Sequence, residues 1–322
     1  MLQKLTQPKV LVPILLSLAL LAVVFGLSDL PSVIDRIWHI PIWVMATSLG
    51  LAVVYLVLKG IQFHFLLGSL GIEVTWRQVV VAFAVGEMVL PIPAGVYAQN
   101  YILRRIKGAD FSTSAAATTA MLAIEATISL MTLAALGIPG WDWLGPVIFA
   151  FFVIAAVIVL PISMIGWLRR RVAQLVQLGP LKRVGPEFIE LAEGMRSFFT
   201  PPVLVRVVPL AVVYLAPLLT AFLLVAHAVG VTKLTFEQAV TIYLFSLALV
   251  LVSPFSTHLG VVEAGGTTAA QAWGYTWSQG LAMLLGFRLV WTGAVWIVCG
   301  LVLLVLRNEL SRSPNQRQES SH

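Results

Sequence analysis

Four charged side chains fall inside apolar stretches where lipid is expected: Glu87, Glu125, Glu263 and Arg288. An ionised group at membrane depth costs at least about 2–3 kcal/mol unless it is paired or hydrated. Each therefore needs a partner or a wet cavity. Glu263 stands three residues after Gly260, in the first turn of a helical arm, where the helix dipole favours a carboxylate. Arg288 is one of the few positive groups near that depth. Two readings of this pair stay open. One is a structural Glu263–Arg288 ion pair; the other is a guanidinium fork that holds a phosphate. They are compatible if substrate competes with Glu263 for Arg288. Glu125 either binds a coupling proton or cation or pairs with Arg104 or Arg105. Glu87 either caps a broken arm or faces a cavity. His258, either a titrating group of the kind histidine offers near neutral pH or a satisfied loop histidine, and Ser256 sit in the turn before Gly260.

These groups cluster around two breaks, "LPIPAG" (90–95) and "SPFSTHLG" (253–260). Proline lacks an amide donor and clashes with the preceding turn, and glycine admits non-helical dihedrals. Broken backbone inside a bilayer is tolerated only where protein or water satisfies it. A second arm starts after each break, near Gly95 and near Gly260. Its free amides and partial positive charge suit a phosphate or carboxylate.

The elements that must position these groups are membrane helices. Of the 322 residues, 59% are hydrophobic and 11% charged, and the mean hydropathy is +0.96. Soluble domains carry roughly a quarter charged residues. The chain is an all-α polytopic membrane protein, with six full spans expected at 9–28, 40–59, 113–136, 145–168, 203–229 and 278–306, each close to the ~20 residues a crossing needs. The net charge of +6 comes from basic residues flanking apolar segments. That is the positive-inside pattern rather than a nucleic-acid surface. Cys299 is the only cysteine, so no intrachain disulfide or cysteine-rich metal site can form. No metal-ligand cluster, nucleotide-binding glycine motif or nucleophile–base arrangement stands out, and no cofactor is expected.

Charge placement assigns the topology. The basic loop 169–185 is expected in the cytoplasm, as are "RRIKGAD" (104–110), a helix end at Lys59 and Arg77, and Arg307, Arg312 and Arg317. "SDLPSVIDRIWHI" and "GIPGWDWLGP" read as outer loops. Regions 77–106 and 237–275 then begin and end on one side each, as re-entrant broken-helix hairpins, and both termini are cytoplasmic. The halves also match: "TWRQVV" (75–80) resembles "TFEQAV" (235–240), Pro91 aligns with Pro254, and Glu125 with Arg288. Opposite orientation makes this an inverted repeat, a transporter architecture. A single integral domain is expected over 1–308, with repeats at about 40–137 and 203–306. An amphipathic cytoplasmic segment is expected at 170–200 and a disordered tail at 309–322.

"SPFSTHLGVVEAGGTTAAQAWG", followed by "LLGFRLVWTGAVWIVCGLVLL", resembles the membrane region of the lysylphosphatidylglycerol synthase family, the flippase-like integral membrane proteins. Pro254, Gly260, Glu263, Arg288 and Gly293 fall on the family pattern, and "LPIPAG" before "YILRRIKG" resembles its first break. The family commonly continues that break as Gly-Glu-x-x-Arg. Here it reads Gly95-Val96-Tyr97-Ala98-Gln99, without the charged pair. The resemblance implies a non-enzymatic plasma-membrane protein that moves an anionic lipid between leaflets. An accessory subunit for a lipid-modifying glycosyl- or aminoacyl-transferase is the alternative, followed by a small-solute or ion transporter.

Overall fold

A computed structural model describes residues 22–23, 25–90, 95–164, 198, 200–252 and 260–307. Among them there is no strand, and the α-helices are α1 (Leu30–Trp38), α2 (Ile42–Ser69), α3 (Trp76–Val89), α4 (Ala98–Lys107), α5 (Phe111–Leu136), α6 (Leu144–Met164), α7 (Pro201–Ala228), α8 (Phe236–Val252), α9 (Val261–Ala272) and α10 (Trp277–Val305). Four are long and apolar enough to cross a membrane: α2, α5, α7 and α10. The expected span at 9–28, the segment 170–200 and the tail 309–322 lie wholly or largely outside the described residues. The 113–136, 203–229 and 278–306 spans are α5, α7 and α10 to within two residues.

Two expectations need correction. The stretch read as the outer loop "SDLPSVIDRIWHI" folds into α1, begun by Pro31 in its first turn, where a missing amide costs nothing. Its Val33 is buried and Trp38 exposed, and Arg36 Nη1 donates to the Val229 carbonyl at 3.0 Å. The helix expected to end at Lys59 instead continues to Ser69. Lys59 is buried, and the turns after it bury Gln62, Phe63, Leu66 and Leu67. That apolar face makes continuing the helix cheaper than ending it.

The repeat motif has a local cause. Thr75 Oγ1 accepts from the Gln78 amide at 3.4 Å, and Gln78 Oε1 accepts from the Thr75 amide at 3.0 Å. Thr235 and Gln238 repeat both bonds at 3.3 and 3.1 Å. The shared T-x-x-Q is thus a capping box that starts α3 and α8 by satisfying otherwise orphaned amides.

Packing is reciprocal between the halves. α2 packs along α7; α3 packs on α10, and α8 on α5; α3 packs on α4, and α8 on α9. The α8–α9 pair is antiparallel along its length. Leu249 faces Gly265, Ser246 faces Gly266, the Trp273 indole donates to Thr241 Oγ1 at 3.1 Å, and the Tyr275 hydroxyl donates to Gln238 Oε1 at 2.7 Å. In the shorter α3–α4 pair, Gly95 lies against Val89 and Gly86 against Gln99. Small residues make such approaches feasible where lipid supplies no hydrophobic drive. A Cβ on Gly266 would lie 2.3 Å from Ser246 Oγ.

Candidate functional site

The second arm of the C-terminal half begins at Gly260, whose φ of +84° favours glycine. The Gly260 amide donates to Glu263 Oε2 at 2.7 Å, and the other Glu263 oxygen is ion-paired with Arg288 Nη1 on α10. Glu263 is fully buried, whereas 31% of the Arg288 side chain is exposed. Burying an ionised carboxylate without such partners would cost several kcal/mol. The expected Glu263–Arg288 pair is therefore present. The packing of α9 on α10 positions it. Ser256 and His258 lie outside the described residues.

The corresponding arm of the N-terminal half begins with a 3₁₀ turn, Gly95–Tyr97, that leads into α4. Gly95 is required for space, since a Cβ there would lie 1.9 Å from the Val89 carbonyl oxygen. Gln99 is buried, and its Nε2 donates to Thr118 Oγ1 on α5 at 2.8 Å. Asn100 Nδ2 bonds the same hydroxyl at 3.1 Å, and Tyr97 bonds Thr119 at 3.2 Å. Where the family pattern carries charge, this arm is tied to α5 by neutral hydrogen bonds.

The largest departure from expectation concerns Glu125. Its partner is neither Arg104 nor Arg105, both exposed in the last turn of α4, but Lys59 on α2. Lys59 Nζ lies 3.5 Å from Glu125 and 3.8 Å from Glu87 on α3. It donates to Tyr55 Oη at 2.7 Å, and sits 5.0 Å from the Tyr55 ring centroid and 5.5 Å from that of Tyr214. Such faces attract a cation through the ring quadrupole. The three charged side chains are at most 12% exposed. Glu87 thus belongs to a three-membered charge cluster. The sequence does hold a signal for Lys59: it follows Tyr55 by one helical turn inside an apolar run that a span of only 20 residues had placed at the helix end.

Aromatic contacts join the two charged sites. Tyr214 meets Tyr55 edge-on at 5.6 Å, Tyr55 meets Trp291 at 5.3 Å, and Trp291 stacks on Phe287 at 5.7 Å. Phe287, next to Arg288, meets Tyr243 at 5.5 Å. Tyr243 lies within electrostatic reach of Lys59, Glu87, Glu125 and Arg288. Among the described residues no group of three His, Cys, Asp or Glu side chains could hold a metal ion.

No curated protein matches the chain in sequence. The family model described as the lysylphosphatidylglycerol synthase TM region matches residues 10–301. That model describes the non-catalytic membrane region of the family. It is a lipid-associated, flippase-like protein of the plasma membrane, crossed by several long apolar helices. With most of its length covered by that match, the chain belongs to the lysylphosphatidylglycerol synthase TM family.

Proposed function

We propose that the protein moves an anionic phospholipid or polyprenyl-phosphate lipid between leaflets, with Arg288 receiving the headgroup. One observation carries this reading: the Arg288 side chain is 31% exposed while that of its counter-ion Glu263 is fully buried. A purely structural pair would be served by burying both partners. A fork of donors left partly open suits a phosphate, and Glu263 holds it in place until substrate competes. The amides at the start of α9 lie beside it and add partial positive charge.

In this reading α3–α4 and α8–α9 are re-entrant hairpins opening to opposite faces, related as an inverted repeat, with both termini in the cytoplasm. The reciprocal packing of the halves and the antiparallel α8–α9 contacts support it. Gly108→Cys and Tyr275→Cys, in a Cys299→Ser background, are expected to label from opposite sides. Labelling from one side would overturn the inverted arrangement.

The direct test is reconstitution. Purified protein in vesicles is expected to move labelled anionic lipid between leaflets, and Arg288→Lys to impair it, since an ammonium cannot reproduce a bidentate fork. No movement across a broad lipid panel by folded protein would overturn the reading. The family description names the membrane region of a synthase, which favours one second reading, an accessory subunit for a lipid-modifying enzyme. Stoichiometric co-purification of such an enzyme, with no lipid movement by the isolated chain, would establish that instead.

A further inference from the structure

We infer that Lys59, Glu87 and Glu125 form a proton-binding site that holds one proton per chain on its two carboxylates. Resting on the lipid-movement reading above, we further assign this proton as the coupling ion. The inference starts from a charge imbalance. One ammonium lies 3.5 and 3.8 Å from two carboxylates, and all three side chains are at most 12% exposed. Lys59 balances one of them. Two like charges sharing one buried cation are relieved when one carboxylate takes up a proton, and the pair then titrates as a unit.

Among the described residues the surroundings supply no second cation. The titratable groups in electrostatic reach of the cluster are Tyr55 on α2, Tyr214 on α7, Tyr243 on α8 and Cys299 on α10. None of these can become positive. Arg288, which acts on Tyr243 from α10, is paired with Glu263. The buried Tyr214 hydroxyl lies within hydrogen-bonding reach of Glu125, and Lys59 Nζ sits 5.5 Å from its ring centroid, so Tyr214 can donate to whichever oxygen of Glu125 Lys59 leaves open. With the proton on Glu87, Glu125 is free to accept from Tyr214 and pair with Lys59. With the proton on Glu125, Lys59 pairs with Glu87. The two arrangements differ in which helix Lys59 holds, α5 or α3. Because α3 packs on α10 and α5 on α8, moving the proton shifts the balance between contacts to the helix that carries Arg288 and contacts to α8.

Infrared spectroscopy of the intact protein in lipid nanodiscs tests the site without reference to transport. The wild type is expected to show a carboxylic-acid carbonyl band near neutral pH that shifts in deuterated water. Glu87→Gln and Glu125→Gln are each expected to abolish it, because a single remaining carboxylate is balanced by Lys59. Both variants are nearly isosteric, so either suffices should the other fold poorly. Absence of the band in the wild type, or its persistence in both variants, overturns the proton site. In proteoliposomes, an imposed pH gradient is expected to change lipid movement several-fold in the wild type and not in Glu87→Gln. A gradient without effect on wild-type movement overturns the coupling assignment. An intact band without lipid movement under any condition leaves the proton site standing and overturns the flippase reading.

Discussion

The helices that follow the two proline-containing segments of the sequence, α4 and α9, are held by different chemistry. α9 is fixed by charge: Glu263 caps Gly260 and pairs with Arg288. α4 is fixed by neutral hydrogen bonds from Gln99 and Asn100 to Thr118. Their glycines differ too. Gly260 is needed for its dihedral angle, at φ +84°, and Gly95 for space against the Val89 carbonyl. The charge missing from α4 reappears one helix away, where Glu125 of α5 joins Glu87 around Lys59. The C-terminal half thus carries a partly open cation and the N-terminal half a closed, acid-rich cluster.

The comparison breaks most visibly at Arg288. Arg288→Ala strands a buried carboxylate and is expected to cost about 3–5 kcal/mol of stability, read as a large drop in unfolding temperature in detergent. Arg288→Met with Glu263→Gln should recover most of that loss. If Arg288 receives a headgroup, the recovered double variant folds yet does not move lipid. A folded and fully active double variant would leave only the structural pair. On the neutral arm, Gln99→Leu is expected to cost about 1 kcal/mol, since Thr118 keeps its bond to Asn100 and a single net hydrogen bond is lost. Comparable losses at the two arms would remove the distinction between them.

The glycines sharpen the contrast at intermediate size. Gly95→Ala puts a methyl 1.9 Å from a backbone oxygen that cannot rotate away, and overpacking of this kind costs about 1–3 kcal/mol or more. Gly260→Ala instead meets the penalty of a positive φ, roughly 1–2 kcal/mol. Thermal unfolding should rank the first above the second.

The long spans were legible because hydropathy over about 20 residues reports on lipid contact directly. The T-x-x-Q matches were legible because a capping box is local chemistry. So was the Glu263–Arg288 pair, since each is an isolated charge in an apolar run. Lys59 escaped for the same reason in reverse. A lysine near the expected end of a span looks like a topology marker, and only the approach of α3 and α5 reveals that it is buried. Glu125 was then matched to the basic residues nearest in sequence, Arg104 and Arg105, although its partner comes from 66 positions earlier in the chain. The α1 helix was missed because its nine residues bind through Arg36 to a carbonyl at the far end of α7, a contact no local pattern announces.

The smallest expected effect separates the halves by pH. Asp110 caps α5: its Oδ2 accepts from the Thr113 amide at 2.9 Å and from the Ser112 hydroxyl. Thr276 caps α10 by a box with Gln279, at 3.2 and 2.9 Å. Replacing either cap by Ala is expected to cost about 0.5–2 kcal/mol. The hydrogen bonds from Ser112 and Thr113 hold the Asp110 carboxyl below its usual value. A carboxylate whose folded value is depressed stabilises the fold above its unfolded pKa of about 3.9, and that contribution disappears as pH falls through the folded value. The Asp110→Ala loss should therefore be full near neutrality and shrink below about pH 4. The Thr276→Ala loss should stay constant, because a hydroxyl and an amide do not titrate there. Asp110 is exposed, so high salt should trim its effect as well. Unfolding curves for the two variants that shift in parallel across this range would show that the Asp110 charge contributes nothing beyond its hydrogen bonds.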